Sequence, residues 1–362
     1  MRSILNNPFV RIALFLGLVG GYLLTMCDVS SLSAVFTSLT HPMTISGVAM
    51  AMPVVVAPFP VNPELTSVAV AYENEDLVAD EVFPRIPPIA VSNFKFRKYQ
   101  LADGFTIPNT HVGRKSEPSQ VDFGWEEIDS STKDYGLDEI VPNEDLLNAP
   151  PGTNLLARAT VNCTDLVLLD REKRCADLAF AAGNYGSNTA TLSGTSQFSD
   201  YTNSDPLAYL LEILDGMVMR PNVITFGQPV WTKFKQHPKV VSKCLGSAST
   251  SGMVTKEMVI EALEIKKVIV GKAWYNSAKK GETPSMSRLW GKHIAMHYQD
   301  PLATNDSRIT FGFTVQTGSR ISGDMPEPKM GLRGSVRVRA GESVREVISA
   351  TDLGYFIQNA VA

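Results

Sequence analysis

The chain is poor in the residues on which common site chemistry is built. Its four cysteines, Cys27, Cys163, Cys175 and Cys244, form no CxxC pair, which argues against a zinc site and against a disulfide framework. They read as reduced thiols, consistent with synthesis in a reducing cytosol. No GxSxG, no Walker loop and no GxGxxG following a strand occurs, so nothing points to an acyl-transfer, phosphate-cradling or dinucleotide site. Histidine is also scarce. His293 and His297 stand four apart, but Ile294-Ala295-Met296 between them lacks the glutamate of a zincin. Their strand-like flank would set the two rings about 13 Å apart on one sheet face. No cofactor, metal or small-molecule substrate is expected. Charge of one sign is lacking too. A net charge of −4 argues against a protein whose main task is gripping nucleic acid, though not against one lying beside it.

A full membrane span is missing as well. Residues 12–26 form a 15-residue uncharged apolar run after Arg2 and Arg11, short of the roughly 20 residues a span needs. Three readings of residues 1–51 stay open: a start codon placed upstream of Met50 or Met52, a removable or disordered leader, and a membrane anchor. The last would fit an exported or membrane-tethered protein.

What is present is a long helical stretch. Residues 153–186 contain no proline and read as one helix up to the terminal glycines. Thr153 or Asn154 can cap the start, and Gly186 can supply a left-handed residue after the end. Leu155, Leu156, Ala159, Cys163, Leu166, Leu169, Ala176, Ala179 and Phe180 recur at helical spacing. Asp170–Arg174 and Lys173–Asp177 form i,i+4 pairs in the favourable order. Roughly 30 helical residues would make a rod about 45 Å long, a spine for a flat subunit.

Before it lies a proline-rich arm, 52–88, with one short helix expected near 63–72 and a strand near 78–86. Two β-like runs follow. In 93–101, Phe94 and Phe96 alternate with Lys95 and Arg97; in 120–128, Val121, Phe123 and Trp125 share a face. About 18 loop residues separate them, unusual for a compact domain, and an isolated hairpin is marginal in water. Both objections vanish if the hairpin packs on another chain. The charges agree. Residues 93–115 hold five bases and one acid, whereas 116–145 hold ten acids and one base. Docking against a complementary partner suits that split; mutual attraction of the two strands is the competing account. The residues expected to contact a neighbouring subunit are Phe94, Phe96, Arg97, Arg114, Lys115, Phe123, Trp125, Glu126 and Glu127.

In the second half, helices are expected over 206–217, 228–235 and 255–263. Strands are expected over 223–226, 267–270, 293–298, 309–316, 335–339 and 343–350. Without βαβ alternation the class is α+β. The run 329–345, five bases against one acid, has three candidate environments: nucleic acid, the acidic hairpin segment, or solvent.

From about residue 62 to 362 the chain resembles the major capsid proteins of tailed bacteriophages. The resemblance rests on NPELTSVAVAY (62–72), DGFTIPNTHVGRKSEPSQVDF (103–123), DYGLDE (134–139), TDLVLLDREKR (164–174) and MRPNVITFGQPVWTKFKQHPKVV (219–241). It continues through GKAWYNSAKKGE (271–282), LWGKHIAMHYQDPL (289–302), FGFTVQTGSR (311–320) and GESVREVISATDLGYFIQNAV (341–361). It implies the Hong Kong 97-like fold: an N-terminal arm at 52–92 and an extended hairpin loop at 93–148, whereas residues 1–51, a leader of uncertain status, depart from the pattern. A peripheral domain with its spine helix would follow at 149–204, a mainly axial domain at 205–330, and strands returning to the peripheral domain at 331–362. It further implies a virion protein, assembled in the host bacterial cytoplasm as hexamers and pentamers of an icosahedral shell around double-stranded DNA. Portal and scaffold proteins, and a possible decoration protein, are the partners it suggests. An encapsulin-like protein compartment is the alternative on the same fold.

Overall fold

A computed structural model describes residues 60–99, 105–121, 124–246, 252–279, 281–305 and 307–362. The apolar run 12–26, the rest of the leader, and Phe123 lie outside these residues.

The arm begins with helix α1 (Pro63–Ala71). Asn62 caps it by accepting from the amides of Glu64 and Leu65, and Pro63 occupies the first turn, where its missing N–H is harmless. Leu65 packs with Ala159, Val141 and Val338, and Ala69 is buried one turn on. The segment 78–86, expected as a strand, instead makes a four-residue helix, α2 (Ala79–Val82). Its first amides find a buried carboxylate rather than a ladder partner: those of Val78 and Ala79 donate to Glu172. The arm therefore lies along its own domain.

Strand β1 (Asn93–Tyr99) pairs antiparallel with β2 (Trp125–Ser131), Phe94 opposite Ser130 and Tyr99 opposite Trp125. Strand β3 (Lys133–Pro142), inside the segment expected as an extended loop, was not foreseen from its polar, acidic sequence. Helix α3 (Asn143–Asn148) then leads to the spine, α4 (Leu155–Ala179). The spine has 25 residues, about 37 Å at the standard rise. Asn154 caps it through the amide of Ala157. It stops at Phe180; Gly186, at φ +56°, closes a separate 3-10 turn over Ala182–Tyr185.

Strand β4 (Thr189–Thr191) and helix α5 (Pro206–Gly216) follow, then β5 (Val223–Gly227), α6 (Gln228–Lys235), α7 (Pro238–Leu245), α8 (Lys256–Leu263) and β6 (Lys267–Gly271). A small hairpin, β7 (Trp274–Asn276) with β8 (Met286–Arg288), precedes β9 (Ile294–His297). The chain ends with β10 (Gly312–Gln316), β11 (Ile321–Glu327), β12 (Ser335–Ile348) and β13 (Gly354–Gln358).

Two larger sheets result. In one, β12 runs unbroken for 14 residues, where two strands were expected. Strand β3 pairs along one edge; β10 and β11 pair in succession, Gln316 with Val344 and Ile321 with Gly341, so four residues oppose two at the junction. Gly341 sits where β3 approaches: a Cβ there would lie 2.5 Å from the Tyr135 carbonyl oxygen and 3.0 Å from the Cα of Gly136. The other sheet has the order β4-β13-β9-β5-β6. Its β5 is buried throughout, because both faces are covered. Ile224 and Phe226 meet α5 to α8 in one core, whereas Val223 joins Trp290, Phe83 and the C-terminal end of the spine in another.

Both sheets draw strands from either side of residue 330. Strands β10 and β11, from inside 205–330, join β12; β13, from the closing segment, joins the five-stranded sheet. Sequence proximity alone does not decide sheet membership: β13 pairs with β4, Phe356 opposite Thr189.

Candidate functional site

The hairpin is anchored by its own domain. Phe94 and Phe96 are only 8% and 6% exposed, packed with Ile86, Phe313, Val315 and Val347. Within one copy these two rings, both expected at a contact with a neighbouring subunit, pack on their own domain. Alternation along β1 places both on the face that β10 and β12 cover. The backbone is held too: the Arg97 amide donates to the Asn305 carbonyl at 3.1 Å, and the Ser349 hydroxyl to the Arg97 carbonyl at 3.0 Å.

The other described candidates lie toward solvent. The Arg97 guanidinium lies 4.5 Å over the ring of Trp125, which is 48% exposed. Lys95 pairs with Glu127 at 3.5 Å and Asp129 at 3.7 Å, and Glu126 stands opposite Lys98. The two strands thus attract each other, the account that competed with docking. Arg114 and Lys115 lie beyond the strands in an exposed turn. Every described residue from 105 to 121 is exposed, Ile107 at 92%.

Behind the hairpin lies a constellation that sequence reading missed. The spine buries Thr160, Thr164, Val167, Leu168, Arg171, Glu172 and Cys175, whereas Leu166, placed in the expected apolar stripe, is half-exposed. The i,i+4 pairs Asp170–Arg174 and Lys173–Asp177 do form on the outer side. The Arg171 side chain is buried completely for practical purposes, at 1% exposure. It contacts Asp80 of the arm at 2.6 Å, Glu346 of β12 at 3.6 Å and the Thr314 hydroxyl of β10 at 3.1 Å. Glu342, equally buried, meets Arg85 of the arm at 2.9 Å and Arg320 at 3.2 Å. Arm, spine and sheet are joined by one charge network. Burial by itself would raise the Asp80 and Glu342 carboxyls; Arg171 and Arg85 for the first, and Arg85 foremost for the second, outweigh it and hold both below the ordinary range.

Glu172 behaves differently. Burial pushes its carboxyl up despite donors from Val78, Ala79 and Trp290. Periodic spacing gave no hint of either group, since a charged pair enters a core only when its partners come from elsewhere in the chain. Three arginines of the basic run 329–345 meet acids of the hairpin segment: Arg337 and Arg339 both reach Asp138 of β3, at 3.2 and 2.6 Å, and the exposed Arg333 reaches Glu144 at 3.2 Å; Lys329 faces solvent.

His293 and His297 are parted by their own hydrogen bonds. The His293 ring accepts from the Asn359 amide and His297 contacts Gln299. No cluster of metal-ligating side chains occurs among the described residues. Cys163, Cys175 and Cys244 are free thiols. No described helix is long and apolar enough to cross a membrane.

No protein-family model matches the chain. A curated relative does: the major capsid protein of Pseudomonas phage JBD67 is 47% identical over 307 residues, spanning 84% of this chain and 99% of the relative. The chain belongs to the phage major capsid proteins.

It is therefore a structural subunit of a capsid shell, and its place is the virion capsid. The phage relative favours this over an encapsulin-like compartment. Two solved structures show the fold. A phage-related protein from Bordetella bronchiseptica RB50 is similar with TM-score 0.66 and 23% identity, covering 83% of the capsid subunit and 97% of that chain. The capsid structure of cyanophage P-SCSP1u gives TM-score 0.52 at 8% identity, covering 80% and 89%. The α+β, Hong Kong 97-like fold implied by the sequence resemblance is the fold of this capsid subunit.

Proposed function

We propose that copies of this subunit close into an icosahedral shell of hexamers and pentamers around double-stranded DNA, with the β1–β2 ribbon reaching onto a neighbouring copy. The observation that carries the ribbon's role is the unbroken exposure of 105–121. A loop bearing Phe105 at 55% exposure and Ile107 at 92% gains from burial that its own domain does not offer. Its Arg114 and Lys115, the outward-facing Trp125, and the carboxylates of Glu126 and Glu127 are the side chains presented to that neighbour. Because Phe94 and Phe96 hold the ribbon's base rigidly, docking orders only its far end. Portal and scaffold proteins are the other partners of assembly in the host cytoplasm, and a decoration protein is a possible addition to the finished shell.

Electron microscopy of shells assembled from the purified subunit tests this. Density for 105–121 is expected on an adjacent copy, and nucleic acid inside particles from infected cells. Shells in which 105–121 of each copy touches only its own chain would overturn the ribbon's role. Particles filled with protein cargo would overturn the role in DNA enclosure.

A further inference from the structure

The small hairpin of β7 and β8 has two unlike faces. Tyr275 points toward the protein, packed at the edge of the core beneath the Lys173 ammonium, 5.8 Å from its ring centroid. Register places Trp274 opposite Arg288 and Asn276 opposite Met286, so these four share the other face. Trp274 is 47% exposed and Met286 58%. The Arg288 guanidinium lies 4.3 Å over the Trp274 ring, held flat and outward.

Tryptophan, methionine and arginine are the residue types enriched at the centres of protein contacts. A stacked guanidinium costs little further ordering on binding, and its N–H groups remain available to carboxylates. The surrounding sequence is basic: 272–288 contains Lys272, Lys279, Lys280 and Arg288 against Glu282. The chain itself supplies the complement. Strand β2 presents Glu126, Glu127 and Asp129, the last two 3.5 and 3.7 Å from the Lys95 ammonium.

Resting on the reading as a shell subunit, we propose that the Trp274–Met286–Arg288 face is a contact between copies, seated against the acidic β2 strand of a neighbouring copy. The carboxylates meet Arg288 and the lysines around it, and Trp274 and Met286 lose water.

Hydroxyl-radical footprinting with mass spectrometry, on the full chain before and after assembly, reads this directly. Oxidation of Met286 and Trp274 is expected to fall severalfold in shells. The buried Trp290 serves as the unchanged control. Arg288→Glu is expected to abolish shell formation while the thermal midpoint of the unassembled subunit stays put. Adding Glu126→Lys and Glu127→Lys to that variant is expected to restore shells. Shells in which Met286 oxidises as in the free subunit, or full assembly of Arg288→Glu, would overturn the contact. Failure of the double lysine change to rescue would overturn β2 as its partner. If the unaltered chain forms no shell under any condition, the shell reading itself falls.

Discussion

The indole nitrogen of Trp290 donates a 2.5 Å hydrogen bond to Glu172 across 118 residues of sequence. The same carboxylate accepts from the amides of Val78 and Ala79. One buried side chain on the spine thereby satisfies the start of an arm helix and the tryptophan beside the five-stranded sheet.

Replacing Glu172 by alanine orphans three buried donors. The expected loss is about 3–5 kcal/mol, in the range seen when one partner of a buried charged cluster is removed. Trp290→Phe keeps the ring and removes one donor, so about 1–3 kcal/mol is expected. Chemical denaturation of the unassembled subunit measures both. Equal losses would mean that ring packing, not the carboxylate, ties the arm down.

The network around Arg171 is expected to fail in acid. Asp80 and Glu342 have carboxyls held below their ordinary values of 3.8 and 4.5. Their contribution is complete above those values and is lost as pH falls through the lower folded ones. Arg171→Met should be destabilising at pH 7, and should flatten the dependence of stability on pH below about 4.5. An unchanged acid slope in the variant would place the acid sensitivity elsewhere.

His297 covers a different pH window. Burial depresses its imidazole from 6.5 to about 3. Its neutral form is favoured by folding, so the full contribution is present above pH 6.5 and declines as pH drops toward 3. Between pH 6.5 and 4.5, before Asp80 and Glu342 titrate, up to about 1.4 kcal/mol per pH unit comes from this group. His297→Gln should cost stability at pH 7 and remove most of that slope. Thermal midpoints at pH 7, 6 and 5 decide it; parallel curves for both proteins would rule His297 out.

The spine's two sides are separable by one-residue steps. Leu166 is half-exposed and Val167 buried. Leu166→Lys is expected to change stability by no more than about 0.5 kcal/mol. Val167→Lys forces an unpaired charge into the core and should cost more than about 4 kcal/mol. Reversed results would restore the apolar stripe read from the sequence.

Much was legible beforehand because it depends on neighbours in the chain. Asn62 and Pro63 announce α1, Asp205 and Pro206 announce α5, and the apolar β5 follows the turn at Pro221. The spine's start at Asn154 was equally local. Strand β3 escaped notice because its pattern is that of an exposed acidic loop. Only β12, nearly 200 residues later, turns Asp138 into the partner of Arg337 and Arg339. The segment 78–86 became α2 because Glu172 accepts its first amides, a contact that no local propensity encodes.

The sequence by itself determined the spine, the capped helices α1 and α5, the apolar strand β5 and the capsid family, since caps, turns and the resemblance are written residue by residue along the chain. The tertiary structure alone decided which face of the spine is buried, that Phe94 and Phe96 anchor the ribbon to its own domain, and which charges sit in the core. A buried charge is tolerable only opposite its partner, and Arg171, Asp80 and Glu346 meet only after the arm, the spine and β12 have been folded together.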